Sequence, residues 1–450
     1  LGINLTKRLL DEDSLFMSWD NYARKNAIYE NFTNTNECLM LTDLYQYTFR
    51  DFCLSYDIYN RLLGDGGKIA ELDAYYAEKE PDPDNEMTGR FAGKNLILIQ
   101  LEAIDTWLIN DVCMPNLAGL QRESINFENH YAPMYLSAGT FNSENIVNTG
   151  LVSPFINNST SIYTRNAYPF SAAHLFREAG YSANSFHNSR GQVYDRETIH
   201  LNWGYEKYHS GTDIGMENID LDSGLISGYD RMVDRDGPFF TFIITYSGHG
   251  AYEGSLDSEL YYDTFAEQLP PDTNPMVIHA YAHAWETDLF IGELMEALEA
   301  DGLLDNTVLA FYADHYDYYV LDDTIIMDQK QVYDANLIQR TPFFIYSRDT
   351  GPMSVTKFTS TVDVLPTLVN LFSLNTDGRY YVGNDAFSEG GGYVIFKDYS
   401  WLDGDTYWNA MADPVDSPEI ADRNQEITRR LQVSWDTMTT DYFSISSNIP

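Results

Sequence analysis

Three largely apolar runs constrain this chain more than anything else in it: KNLILIQL at 94–101, PFFTFIITY at 238–246 and TVLAFYA at 307–313. A strand with one wet face alternates apolar and polar residues. These runs do not alternate, so both of their faces must be covered. Helical patterns separate them. One starts at 114–120, and one covers 172–179, stops at Gly180 and is followed by a strand at 181–186. A long amphipathic one covers about 275–300 and stops at Gly302, and another covers 362–372 after a strand at 342–347. Strands alternating with helices in this way predict an α/β fold, a mostly parallel sheet sandwiched by helices.

The rest of the chain divides around that core. Residues 1–90 read as a helical, polar-aromatic N-terminal region ending in the linker-like KEPDPDNE at 79–86. Residues 91–375 carry the α/β core. From 376 to 450 the composition turns Gly-, Tyr- and Trp-rich, which predicts a small antiparallel sheet closed by a helix near 418–438. There is no internal repeat. The chain opens on Leu1 with neither methionine nor a signal-like run, so it reads as a soluble fragment of something longer. No stretch of about 18 apolar residues is present to span a bilayer. Cys38, Cys53 and Cys113 show no metal spacing; Cys38 and Cys53 could pair, and the odd count leaves one thiol free. Against 27 basic residues stand 68 acidic ones, a net charge of −41. That excludes a basic footprint for nucleic acid and broad adhesion to anionic lipid. It does not exclude an anionic substrate held by a local cation, because charges beyond about 8 Å are screened at physiological salt.

Chemistry concentrates at the ends of the apolar runs. The first ends on Glu102 and the third on Asp314-His315, at the C-terminal edge where open α/β sheets place their ligands. Hard carboxylate oxygen beside imidazole nitrogen suits a divalent cation. Thr140 follows a glycine and precedes a predicted helix. A threonine hydroxyl is a poor nucleophile until a base or metal activates it, and a helix start adds N–H donors for an anion. Singly, each residue is as readily a helix cap or a surface carboxylate; together they describe a metal-assisted nucleophile site. His249 lies in a Ser-Gly-His-Gly turn after the second run, where glycines permit close approach to a ligand. His279 and His283 share a helical face but lack the metalloprotease glutamate, so they read as packing, as do Tyr399, Trp401, Tyr407 and Trp408. Asp317 and the tyrosines after it read equally as substrate contact or loop.

Six segments, KNLILIQLE (94–102), GTFNSE (139–144), FH (186–187), YDR (194–196), SGH (247–249) and YADH (312–315), resemble in order and spacing the extracellular domain of lipoteichoic acid synthases. These are phosphoglycerol transferases within the alkaline phosphatase and sulfatase superfamily. The resemblance covers roughly residues 30–390 and implies an alkaline-phosphatase-like fold. It implies that Thr140 is the nucleophile, carrying glycerophosphate from phosphatidylglycerol as a covalent intermediate. Glu102, Thr140, Asp314 and His315 would bind one Mn²⁺, with Mg²⁺ or Zn²⁺ as alternatives. His249 and Arg196 would contact phosphate and glycerol, with His187 and Tyr194 lining the pocket. The acceptor would be a glycerophosphate polymer or a glycolipid. The setting would be the outer face of a bacterial, Gram-positive membrane, reached through an N-terminal membrane segment. Gly139 departs from the family, which often has lysine there, and Tyr194 stands where tryptophan is familiar. A sulfatase would need Cys/Ser-x-Pro-x-Arg around its nucleophile, which GTFNS lacks. A phosphodiesterase or phosphoethanolamine transferase on the same scaffold, and a non-catalytic teichoic-acid-binding protein, are the rival readings.

Overall fold

The computed structural model describes residues 66–446 apart from 137, 155–162, 391 and 405, together with 45, 48 and 49. The expected Cys38–Cys53 pairing, and all but residues 45, 48 and 49 of the N-terminal helical region before α1, lie outside the described residues. Cys113 is buried and free.

The main sheet contains β1 (Asn95–Leu101), β2 (Ile125–Tyr131), β3 (Ser182–His187), β4 (Lys207–Ser210), β5 (Phe239–Ile244), β6 (Thr307–Ala313), β7 (Phe343–Tyr346) and β8 (Met353–Ser360). Their order is β4-β3-β5-β1-β6-β7-β2-β8. Every neighbouring pair is parallel except those of β7, which runs against both β6 and β2. All three apolar runs sit side by side at the centre, where both faces are covered, and every residue of β1, β5 and β6 is buried.

Helices form the outer layers. They include α1 (Gly66–Glu78), α2 (Pro115–Arg122), α3 (Gly139–Thr149), α4 (Ala172–Glu178), α5 (Arg196–Asn202), α6 (Leu256–Gln268), α7 (Pro275–Ala300), α8 (Asp323–Lys330), α9 (Thr361–Phe372) and α10 (Pro418–Thr439). Alternate residues of β1 feed opposite layers. Leu96 and Leu98 meet Phe141 and Val147 of α3, Phe176 of α4 and Leu368 of α9. Ile97, Ile99 and Leu101 meet Leu117 of α2 and Phe290, Ile291 and Leu294 of α7. Each such side chain contributes about 1.5–3 kcal/mol by leaving water, so the sheet centre is the most strongly held part of the molecule. α7 occupies the span its pattern predicts, begun by Asn274 accepting from the Met276 amide and by Pro275.

A separate antiparallel sheet of β9 (Tyr393–Ile395), β10 (Trp401–Asp403) and β11 (Thr406–Trp408) follows, in the order β11-β10-β9. Trp401 and Trp408 stack with ring centres 6.0 Å apart and are buried, so they are core, as expected. α1 docks on α10 through Tyr76 to Thr437 at 2.7 Å and Lys68 to Asp436 at 2.8 Å. Among the described residues no helix is long and apolar enough to cross a membrane.

Candidate active site

Four adjacent parallel strands, β3, β5, β1 and β6, end at one edge of the sheet. The register pairs Leu101 with Ala313 and both Gln100 and His187 with Ile244. Glu102, Asp314, His187 and the 245–249 turn therefore emerge at one level, although they are far apart along the chain. The Glu102 amide donates to Thr245 Oγ1 at 2.9 Å, fastening the β1 end to the β5 end. Gly248 lies so close to the Glu102 carbonyl that a β-carbon would overlap it, which is why a glycine precedes His249.

Glu102, Asp314 and His315 are fully buried, and one ligand atom of each lies within 4.8 Å of the others. His315 Nδ1 donates to the Tyr316 carbonyl at 2.9 Å, which turns Nε2 inward. That nitrogen is 3.4 Å from Glu102 Oε1 and 3.4 Å from Asp314 Oδ2. Among the described residues neither His315 Nε2 nor Asp314 Oδ2 has a hydrogen-bond partner, although both are buried. Unpaired buried polar atoms are costly, and here two converge with a third oxygen donor. One nitrogen and two carboxylate oxygens fit Mn²⁺, Mg²⁺ or Zn²⁺. The electrostatics favour a cation at this spot. Burial and the charge of Glu102 push the Asp314 carboxyl well up. Burial alone would lower the His315 imidazole, but Asp314 and Glu102 outweigh it and raise it to about 9.

Thr140 joins this cluster through its side chain: Oγ1 donates to Glu102 Oε2 at 2.9 Å. It sits in the first turn of α3, a helix buried along its whole length and capped by no side chain at Ala138. The first-turn amides thus face the same region as the hydroxyl. Gly139 has a steric cause. A β-carbon there would approach His315 Cδ2 to 2.5 Å, so the imidazole occupies the space in which a lysine side chain would begin.

Arg196 is 2% exposed and grips Glu144, Nε at 3.0 and 3.1 Å and Nη2 at 2.9 Å. Its Nη1 makes no hydrogen bond among the described residues. His200 Nε2 shares Glu144 at 2.6 Å and its Nδ1 meets Ser185 Oγ at 2.8 Å. Burial would raise the Glu144 carboxyl, but Arg196 and His200 hold it at about 2. Tyr194 lies under the guanidinium, 4.9 Å from ring centre to Cζ. Tyr194 and Asp195 have φ of 58° and 54°, a left-handed pair that costs on the order of 1–3 kcal/mol per residue. Burial pushes the Tyr194 hydroxyl up to about 12. His187 Nδ1 donates to the Ile244 carbonyl at 2.9 Å, and burial with the Arg196 charge pulls its imidazole to about 3. His249 is lowered by burial too, and its ring lies 4.6 Å from that of Tyr319.

All eight predicted side chains thus gather at this edge. Asp317, by contrast, is wholly buried and accepts from the Tyr252 hydroxyl at 2.7 Å, so it anchors the loop. His279 and His283 hydrogen-bond Ser258 and Ser255, each at 2.7 Å, and tie α7 to the start of α6. Sequence reasoning gave Glu144 no role and left Tyr319, within the tyrosine run after Asp317, open between substrate contact and loop. Glu144 stands four residues after Thr140, a spacing that puts both on one helical face.

The sulfatase family profile matches residues 94–374. The lipoteichoic acid synthase of Staphylococcus saprophyticus subsp. saprophyticus is 24% identical over 405 residues, covering 83% of this chain and 61% of that protein. The lipoteichoic acid synthase of Staphylococcus aureus strain USA300 is 24% identical over 407 residues with the same coverage. The chain therefore spans 61% of the length of these curated relatives. Among solved structures, the lipoteichoic acid synthase LtaP from Listeria monocytogenes superposes with a TM-score of 0.66 at 20% identity, covering 85% of this chain and 98% of that one. A protein in the alkaline phosphatase superfamily from Vibrio parahaemolyticus gives 0.59 at 16% identity, covering 84% and 97%. Both likenesses concern the fold.

Proposed function

The chain belongs to the sulfatase family, and from that premise we propose that it is the catalytic part of a metal-dependent phosphoglycerol transferase. It moves glycerophosphate from a phosphatidylglycerol-type headgroup to a glycerol hydroxyl of a teichoic-acid-type polymer or of a glycolipid. The names of its curated relatives support the reaction class. The observation that carries the mechanism is the Thr140 hydroxyl, buried and 2.9 Å from Glu102 Oε2, beside two unpartnered ligand atoms.

Glu102, Asp314 and His315 would hold Mn²⁺ (or Mg²⁺ or Zn²⁺), with Thr140 Oγ1 as the fourth donor. The ion would favour the alkoxide and neutralise a phosphoryl oxygen. Thr140 Oγ1 attacks phosphorus; the Oγ1–P bond forms as the bond to the diacylglycerol oxygen breaks, and the threonine proton leaves with diacylglycerol. An acceptor hydroxyl then attacks the phosphothreonine and returns a proton to Oγ1. Two steps divide a phosphodiester barrier that catalysis must lower by on the order of 20 kcal/mol. Arg196 offers Nη1 for a phosphoryl oxygen while Glu144 balances its charge. His249 and His187, both held neutral, bind and orient the headgroup beside Tyr194. The chemistry takes place at the outer face of a bacterial membrane, where such a lipid is met.

With Mn²⁺ and a fluorescent phosphatidylglycerol, the native chain should release diacylglycerol and, without acceptor, carry a glycerophosphoryl adduct visible by intact mass. Thr140→Ala should lose both, turnover falling at least about 1,000-fold with the fold intact. Retained turnover would refute the role of Thr140. Product analysis with and without a glycerol acceptor separates transfer from hydrolysis.

A further inference from the structure

The segment after Asp314-His315 carries three tyrosines to which the reaction above assigns nothing. Its backbone is fastened from below. Asp317 accepts from Tyr252 at 2.7 Å, and its amide donates to Asp105 Oδ2 at 3.3 Å. Asp105 in turn forms a buried ion pair with Lys330 at 2.7 Å. On that base a short turn, Tyr318–Val320, raises two rings over the proposed metal ligands. Tyr318 stacks on His315 with ring centres 4.3 Å apart, inclined by 28°. Tyr319 lies 4.6 Å from the ring of His249 and donates its hydroxyl to Glu102 Oε1 at 3.3 Å. Tyr318 donates to the Tyr319 oxygen at 3.4 Å, so the one hydrogen of Tyr319 is directed at Glu102.

A glutamate side chain has three rotatable bonds and coordinates well only when other groups hold it. Thr140 holds Glu102 Oε2, and Oε1 lies between His315 Nε2 and Tyr319. Hydrogen bonds to ligating carboxylates from beyond the coordination sphere commonly change metal affinity 10–100-fold. We propose that Tyr319 is a positioning residue of this centre: its hydroxyl aligns Glu102 toward the metal, and its ring sets the side-on position of His249 toward the headgroup. The proposal rests on the reading of Glu102, Asp314 and His315 as metal ligands.

The test titrates Mn²⁺ by calorimetry into metal-stripped native chain, Asp314→Asn, Tyr318→Phe and Tyr319→Phe, with melting temperatures taken without metal. Native chain should bind one Mn²⁺ and Asp314→Asn should not. Tyr319→Phe should bind about tenfold more weakly while melting within about 2 °C of native. Tyr318→Phe, which leaves Tyr319 in place, should show a smaller loss of the same sign and serves if Tyr319→Phe does not fold. Tyr319→Leu, assayed at saturating Mn²⁺, should raise the KM for lipid above that of Tyr319→Phe because the ring is gone. If native chain and Asp314→Asn bind alike, the metal reading falls and this inference with it. If native chain binds as expected but removing either tyrosine hydroxyl leaves the affinity unchanged, the role of Tyr319 alone is overturned.

Discussion

Two charge clusters in this molecule, one buried and one half-buried, are built in opposite ways. At the ends of β1 and β6, Glu102, Asp314 and His315 converge, and two of their atoms have no partner. Where β8 and α9 meet the small sheet, a cavity of about 270 Å³ is walled by Lys357, Arg423 and Arg430 alongside Asp363, Asp403 and Glu426. There each of these six charges has a partner. Arg423 pairs with Asp403 and Glu426, and Arg430 pairs with Glu426 at 3.0 Å and lies 4.5 Å from the ring centre of Tyr393. Lys357 meets the Ser388 carbonyl at 3.0 Å, and Asp363 accepts the amides of Ser360 and Asn384 at 2.8 Å each. The second cluster is richer in charge, yet its charged groups are spent on one another and on the backbone, and the one unpartnered atom on its wall among the described residues, the Tyr393 hydroxyl, stands alone. Density of charge therefore does not mark a candidate site; converging buried atoms without hydrogen-bond partners do.

Asp314→Asn is the sharpest way to break that contrast. Asp314 Oδ1 accepts the amides of Ala103 and His315 at 2.9 Å each, and asparagine keeps both bonds while removing one of two facing charges. Mn²⁺ affinity should fall at least about 100-fold in a calorimetric titration. The metal-free protein should melt no lower than native, because repulsion from Glu102 is relieved. Asp363→Ala should do the reverse: denaturant melts should show about 1–2 kcal/mol lost with the α9 cap, and turnover of the fluorescent lipid should not change.

The last effect, visible only as a pH dependence, concerns an unpartnered atom outside both clusters. His130 on β2 is buried, its Nδ1 meets Thr359 Oγ1 at 3.0 Å, and its Nε2 has no partner. Burial pulls its imidazole to about 3, whereas the unfolded value is about 6.5. Between those values the unfolded chain binds a proton that the folded chain refuses. Its contribution is therefore complete above about pH 6.5 and drains away as pH falls, at up to about 1.4 kcal/mol per pH unit. His130→Asn should remove that one-proton slope from stability measured between about pH 6 and pH 4. A single buried imidazole is a sensitivity to acid; several unpartnered atoms that converge make a candidate site.

What could be read in the sequence follows the same division. β1, β5, β6 and α7 were legible because doubly covered strands and a capped apolar helix write their burial into every residue. β2, β4 and β8 were not: they lie toward the sheet edges, and β8 (MSVTKFTS) is largely exposed along its first half. Such a strand has no apolar run to betray it. Glu102, Thr140, Asp314 and His315 stood out because strand ends and a helix start have local signatures. The grip of Glu144 on Arg196 spans 52 residues, and the reach of Tyr319 back to Glu102 spans 217. Pairings at that range are made by the crossover connections, and periodicity carries no trace of them.

The bare α-carbon at position 139 has an evolutionary consequence. Because the His315 ring fills the space beside it, and Tyr318 stacks on that ring, positions 139, 315 and 318 form one epistatic unit. A lysine grafted onto 139 by itself would dislodge the imidazole before its ammonium could help any phosphate. The same graft made after 318 had been thinned would find the ring free to tilt away. The order of substitutions, and not only their identity, decides which basic neighbours this threonine can acquire.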